Sequence, residues 1–189
     1  MLAIGQGAQS SITGQIESVG TNMMIIMRGN TAAEVKNPRP LTLSDAKALA
    51  NPLRAPSISN VAPLILGQTE AASGPETLDV TVFGVTSGYD QVINLPLQEG
   101  SFITASDCDS RASVAVIGPE AAERLLGKST GVVGQTIRLN GYPFRVIGVA
   151  AAKGGSQFDS PDLNFYVPLT TMQLRINQNM DAGNVSFIY

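Results

Sequence analysis

Gln135-Thr-Ile-Arg-Leu-Asn-Gly-Tyr-Pro-Phe-Arg-Val-Ile-Gly-Val149 is the stretch whose reading decides the fold. Asn140-Gly141 stands between two β-prone runs, and both residues accept the positive φ that a tight two-residue turn demands. The segment therefore predicts a β-hairpin. Nothing in it suggests catalysis, so the first expectation is a structural and binding unit.

Elements follow on both sides. Ser113-Val-Ala-Val-Ile117 is short and apolar and reads as a buried strand. Pro119 opens a helix at the first-turn position where proline is tolerated, Gly127 closes it, and Ala121, Ala122, Leu125 and Leu126 form its buried side. Phe165-Tyr-Val-Pro-Leu169 predicts another strand, residues 170–176 a short helix, and residues 184–189 the start of one more strand.

Nearer the N-terminus, Ala8, Ile12, Ile16 and Val19 repeat at helical spacing, with Gly20 placed to end the helix. Residues 22–28, dense in Met and Ile, predict a strand buried on both faces, and residues 29–40 a polar loop. Thr42, with Asp45 after it, is an N-cap signal before Ala46, Ala48, Leu49 and Ala50, and the helix must stop near Pro52. With a strand over 58–71, this gives a minimal βαβ unit at 22–71. Ser73-Gly74-Pro75 is the clearest break in the chain and a candidate subdomain boundary. Beyond it Leu78, Val80 and Val82 alternate with Asp79, Thr81 and Phe83 as in a strand, and residues 90–107 read as a long irregular connection.

Composition narrows the function. A net charge of −3 without clusters of Lys or Arg argues against nucleic acid as a partner. With no histidine and one cysteine in 189 residues, a Ser-His-Asp triad, a Cys-His pair, a His-ligated metal and an internal disulfide are all excluded. Lone Cys108 fits a reducing compartment and an exported domain equally. No apolar run approaches the ~20 residues that span a bilayer, and the N-terminus does not resemble a signal peptide. Either the protein is cytosolic or its targeting and membrane segments lie outside this stretch.

The remaining chemical candidates are weak. Gly127-Lys-Ser-Thr130 resembles the end of a phosphate-binding loop, but Ala122 or Glu123 stands where that motif needs glycine, and the tetrapeptide ends a helix. Asp107, Asp109, Asp159 and Asp162 are oxygen donors for calcium in principle and read better as solvated turn residues. Cys108, between two carboxylates, should resist ionising. Ser10-Ser11 and Thr170-Thr171 have no base except lysine. Lys153-Gly-Gly155 suggests an anion-holding or moving loop, with a solvated turn the preferred reading. Met23, Met24 and Met27 read as core. Phe83, Phe102, Tyr142, Phe144 and Phe158 make a contact patch or, for most of them, core. No catalytic, cofactor-binding or metal-binding residue is assigned, no cofactor is expected, and the chain is not read as an enzyme.

The motifs in order resemble the periplasmic core domain of MacB-type, FtsX-like ABC transporter permeases. The hairpin segment followed by Lys153-Gly-Gly155 carries the likeness most strongly. Ile4-Gly-Gln-Gly-Ala8, Leu41-Thr-Leu-Ser-Asp-Ala46, Val61-Ala-Pro63, Phe83-Gly-Val85 with Tyr89, Glu99-Gly-Ser-Phe102, Val114-Ala-Val-Ile-Gly118 and Tyr166-Val-Pro-Leu-Thr-Thr171 extend it. The resemblance implies an α+β fold: a porter-like βαβ subdomain, its second βαβ unit truncated here, with an inserted strand-rich α/β subdomain. The expected division is 1–20 as a helix continuing from a transmembrane segment, 21–75 plus 179–189 as the porter-like part, and 76–178 as the insert. An incomplete porter sheet exposes a strand edge, which invites dimerisation.

The implied location is the extracytoplasmic face of the cell membrane. The implied function is transmission of ATP-driven conformational change during export, with adaptor or cargo binding. Its partners would be a second permease copy, a cytoplasmic nucleotide-binding domain that is the ATPase, and a membrane-fusion-type adaptor. The alternative is a small-ligand-binding or sensor module with a pocket at the subdomain junction.

Overall fold

The Asn140-Gly141 turn forms as read: φ is 51° at Asn140 and 78° at Gly141, which joins β7 (Thr136–Leu139) to β8 (Tyr142–Ala150) as an antiparallel hairpin. The computed structural model describes residues 23–29, 39–154, 161–178 and 183–189. The helix read over 2–19 and most of the 29–40 loop lie outside them.

Before the hairpin come β1 (Ile26–Met27), β2 (Leu41–Thr42), α1 (Leu43–Leu49), β3 (Pro63–Ser73), β4 (Glu76–Val85), α2 (Tyr89–Val92), β5 (Leu97–Gly100), α3 (Ala105–Asp109), β6 (Val114–Ile117) and α4 (Pro119–Leu126). After it come β9 (Phe165–Pro168), α5 (Leu169–Thr171) running directly into a π turn (Met172–Ile176), β10 (Asn184–Val185) and β11 (Phe187–Ile188).

The hydrogen-bonded neighbours close on themselves. β3 pairs with β4, β4 with β9, β9 with β6, β6 with β8, β8 with β7, and β7 returns to β3 at Ala71 and Ala72. Closure removes the edges that an open sheet of these strands would show. The inside is identified by its contacts. Ala71, Val82, Phe165, Ile117, Phe144 and Ile137, one from each strand, belong to a single buried cluster, as expected of side chains facing the inside of a ring, and Ala46, Val185 and Ile188 join it from the neighbouring elements. Alternation along β6 makes the point locally, since Ala115 and Ile117 enter this cluster while Val114 and Val116 join a second one outside. α4 adds Ala121, Ala122 and Leu125 to the inner cluster, starting at Pro119 and stopping at left-handed Gly127 as the sequence required. The outer cluster is covered by Tyr89 of α2 together with Leu95, Phe102 and Ile103.

A second arrangement extends from this ring. β1 pairs antiparallel with β11, and β11 pairs antiparallel with β3. β1 and β3 therefore run in the same direction, connected through α1, with the last strand of the chain inserted between them. The sequence-read βαβ order is present in this split form. β2 and β10 form a separate two-stranded ribbon. The α1 N-cap is as expected: Thr42 Oγ1 accepts from the Asp45 amide at 3.2 Å, and Asp45 accepts from the Thr42 amide at 2.8 Å.

Several expectations need correction. Met23–Met27 is not a strand buried on both faces. Only Ile26–Met27 is assigned as strand, and Met24 is 72% and Met27 49% exposed, because among the described residues β1 has a neighbour on one side only. The strand expected over 58–71 begins at Pro63, since residues 51–58 are taken up by successive turns. The 90–107 connection holds the rest of α2, all of β5 and the start of α3, whose Thr104–Asp107 capping box repeats the one at Thr42–Asp45. At Ser73-Gly74-Pro75 the chain turns from β3 into β4, and these two strands pair without interruption from Leu64↔Val85 to Ser73↔Glu76, so the segment from 76 onward departs through a hairpin and not through an irregular linker.

Candidate functional site

Among the described residues, Asp107, Lys153, Asp162, Thr170 and Thr171 are committed to the protein's own backbone, while Ser10-Ser11 lie outside them. The loop after α4 holds an anion, but an internal one. Glu99 of β5 accepts from the Gly131 amide at 2.6 Å and the Val133 amide at 3.4 Å, and Gln98 donates to the Ser129 carbonyl at 3.4 Å. The carboxylate takes up amides just after the Gly127-Lys-Ser-Thr130 tetrapeptide, and the turn there begins at the C-terminal end of α4, where the dipole disfavours phosphate.

Lys153-Gly154 behaves similarly; Gly155 lies outside the described residues. Asp162 accepts from the amides of Lys153 at 2.9 Å and Gly154 at 3.1 Å. Lys153 Nζ donates to the Ile93 carbonyl at 3.0 Å, and partial burial lowers its pKa from the ordinary lysine value. The arrangement ties the end of β8 to the end of α2 and to the segment entering β9. It is neither a free basic loop nor a freely solvated turn.

Asp107 is spent on its capping box, and among the described residues no three acidic or sulfur ligands come together as a metal site. Asp159 and Phe158 lie outside the described residues. Cys108 is half-buried with its Sγ 3.7 Å from the Val85 carbonyl. Its pKa is raised, first by burial and only then by Asp107 and Asp109. The direction read from sequence is right, and desolvation is the larger cause. Thr170 donates its hydroxyl to the Cys108 carbonyl at 2.6 Å and Thr171 to the Ala112 carbonyl at 2.9 Å. These hydroxyls staple α5 to α3 and to the turn that follows it.

The aromatic residues divide. Phe144 lies inside the ring and Phe102 in the outer cluster, whereas Tyr142 is exposed and lies under Arg175, whose guanidinium carbon is 5.8 Å from the ring centre. A larger aromatic group emerges in space: Phe83 and Phe102 meet Tyr166, Tyr89 lies between Tyr166 and Tyr189, and Tyr189 contacts Phe187. Sequence reasoning missed it because its members come from β4, α2, the segment after β5, β9, and β11 with the residue after it. Burial raises the pKa of Tyr89 and pushes that of Tyr166 up to about 12, so these phenols serve as neutral packing groups. A groove of about 650 Å³ opens beside this group, walled mainly by Met23, Met24, Ile26, Leu49, Ile58 and Val92, with Ser57, Ser59, Asn60 and Gln91 as its polar members.

The MacB-like periplasmic core domain family matches residues 1–189, the whole chain. This chain belongs to that family. The MacB domain also explains the strand-dominated mixed α/β fold: the periplasmic region of MacB from Actinobacillus actinomycetemcomitans is similar at a TM-score of 0.73 and 26% identity, covering 94% of this chain and 78% of that one. The extracellular domain of the ABC-type transporter YknZ from Gram-positive bacteria shares the fold at a TM-score of 0.68, covering 87% of this chain and 79% of that one, at 24% identity. Among curated relatives, the macrolide export ATP-binding/permease protein MacB of Shewanella oneidensis is 34% identical over 182 residues, 93% of this chain and 27% of its own length. The pyoverdine export ATP-binding/permease protein PvdT of Pseudomonas entomophila is 29% identical over 187 residues, 98% of this chain. The chain spans 28% of that relative's length. No described helix is long and apolar enough to cross a membrane.

Proposed function

We propose that this MacB-like domain is the extracytoplasmic part of an ABC transporter permease that transmits ATP-driven conformational change and binds adaptor or cargo during export. The observation that carries the reading is the family match over the whole chain, in relatives named as export ATP-binding/permease proteins. The internal chemistry supports it. Glu99, Lys153, Thr170 and Thr171 all bond backbone groups far away in sequence, as suits a body that must move as a unit.

The transporter would contain a second permease copy, cytoplasmic nucleotide-binding domains as the ATPase, and a membrane-fusion-type adaptor. Within the chain, residues 21–75 with 179–189 form the porter-like part and residues 76–178 the insert. Support comes from β11 lying between β1 and β3, while the continuous β3–β4 pairing makes the junction stiff.

Topology labelling tests the location. Cys108 is a poor reporter, being half-buried with a raised pKa, so Leu53→Cys is placed on a Cys108→Ser background; Leu53 is 95% exposed. Labelling by a membrane-impermeant maleimide in unbroken cells supports an outside domain. Labelling only after lysis overturns it.

A further inference from the structure

The segment from Leu169 to Gln178 meets more separate parts of the fold than its length suggests. At its start, Met172 is fully buried inside the ring, in the space left by Gly67 of β3 and Gly84 of β4. The chain then makes a π turn, closed by the Asn177 amide donating to the Met172 carbonyl at 2.9 Å. Such a turn carries one residue more than α-helical spacing and is concentrated at functional positions.

Two of its groups reach different parts of the fold. The Arg175 carbonyl accepts from Asn140 Nδ2 at 3.1 Å, at the tip of the β7–β8 hairpin. Gln173 Nε2 donates to the Asn184 carbonyl at 3.3 Å, in β10. Among the described residues β10 pairs with β2, and that ribbon stands beside the closed ring, with Val185 packed into the inner cluster and Ser186 leading into β11. One pinned turn thus holds both the outlying ribbon and the hairpin tip.

We infer that the π turn at Met172–Ile176 is a coupling joint, through which a displacement of the β2–β10 ribbon is passed to the β7–β8 hairpin and the reverse. This deepens the mechanical reading above and rests on it for its purpose. The physical basis is local. Slipping from π to α spacing turns every following residue about the segment axis, which withdraws the Arg175 carbonyl from Asn140. Met172 fixes the pivot, because its Cβ and Cγ are held against the Gly84 backbone. Coupling of this kind is reciprocal in free energy, so each end must feel a change at the other.

Hydrogen exchange on the protein itself, without nucleotide, tests this. The Leu43 amide, bonded to the Gly183 carbonyl at 2.8 Å, reports the ribbon, and the residue-140 amide, bonded to the Glu70 carbonyl at 3.1 Å, reports the hairpin tip. Gln173→Leu removes the bond to Asn184. Asn140→Asp removes the donor to Arg175 while keeping a residue that tolerates positive φ.

The expected result is exchange raised about threefold at the residue-140 amide by Gln173→Leu and at the Leu43 amide by Asn140→Asp. The amide of Val116, in buried β6, should not change. If each variant alters only its own element, or Val116 changes as much as the distant reporter, the joint is overturned. Either variant decides alone should the other fail to fold. Because no transport step enters the measurement, a negative result here leaves the membrane topology test above intact, and the two failures are distinct.

Discussion

Met172 occupies the space that a side chain at Gly84 would need. A Cβ added at Gly84 would lie 2.5 Å from Met172 Cβ and 2.6 Å from its Cγ, whereas one added at Gly67 would meet only Met172 Cε, at 2.5 Å. The difference matters because Cε is the free end of a flexible side chain and Cβ is fixed to the backbone.

Gly67→Ala should therefore be mild and Gly84→Ala severe. Overpacking a filled core costs about 1–3 kcal/mol, and Gly84→Ala should reach the upper end of that range while Gly67→Ala stays below about 1 kcal/mol. Urea denaturation of the two variants measures this directly. Equal losses would mean that the Met172 side chain is not seated between these strands as described.

Stability should carry an acid-side component from the α1 cap. Two hydrogen bonds from Thr42 hold the Asp45 pKa below its ordinary value of 3.8. A lowered folded-state value stabilises the protein above the unfolded value and ceases to do so as pH falls through the folded one. Asp45→Asn should thus be less stable than the native sequence at neutral pH, with the gap closing below about pH 3.8. Thermal midpoints at neutral and acid pH give the comparison. Independently, Thr42→Ala should cost about 1 kcal/mol.

Glu99 should hold the 128–134 loop against β5. Glu99→Gln keeps the shape but weakens two charge-assisted bonds, with an expected loss of about 1 kcal/mol. The amides of Gly131 and Val133 should exchange faster, while those inside the ring keep their protection. Unchanged exchange at both amides would show that the carboxylate does not hold the loop.

Arg111 ends α3 in a left-handed conformation, with φ of 53°, where the Ala112 amide closes back on the Asp107 carbonyl at 2.9 Å. Glycine is the usual occupant of this position, since a side chain there meets the following carbonyl. Arg111→Gly should stabilise the protein by about 1 kcal/mol, read as an increase in the urea midpoint with an unchanged slope.

The local grammar of the chain was legible from sequence. Asn140-Gly141, Thr42 with Asp45, and Pro119 with Gly127 each set a boundary through hydrogen bonds and φ preferences among residues a few positions apart. The absence of histidine likewise excludes whole classes of chemistry by composition alone. The ordered motifs identified the family, which the whole-chain match then showed.

Tertiary structure decided what depends on distant partners. Met23–Met27 has the composition of a core strand yet lies at an exposed edge, because burial depends on neighbours and not on hydropathy alone. Ser73-Gly74-Pro75 has the composition of a boundary, and only the pairing of β3 with β4 makes it a hairpin turn. The return of β7 to β3, the insertion of β11 between β1 and β3, and the capture of Gly131 by Glu99 join residues that no local pattern relates. Short-range sterics and hydrogen bonding are written along the chain; ring closure and the fate of each polar side chain are set by which surfaces meet when the core forms.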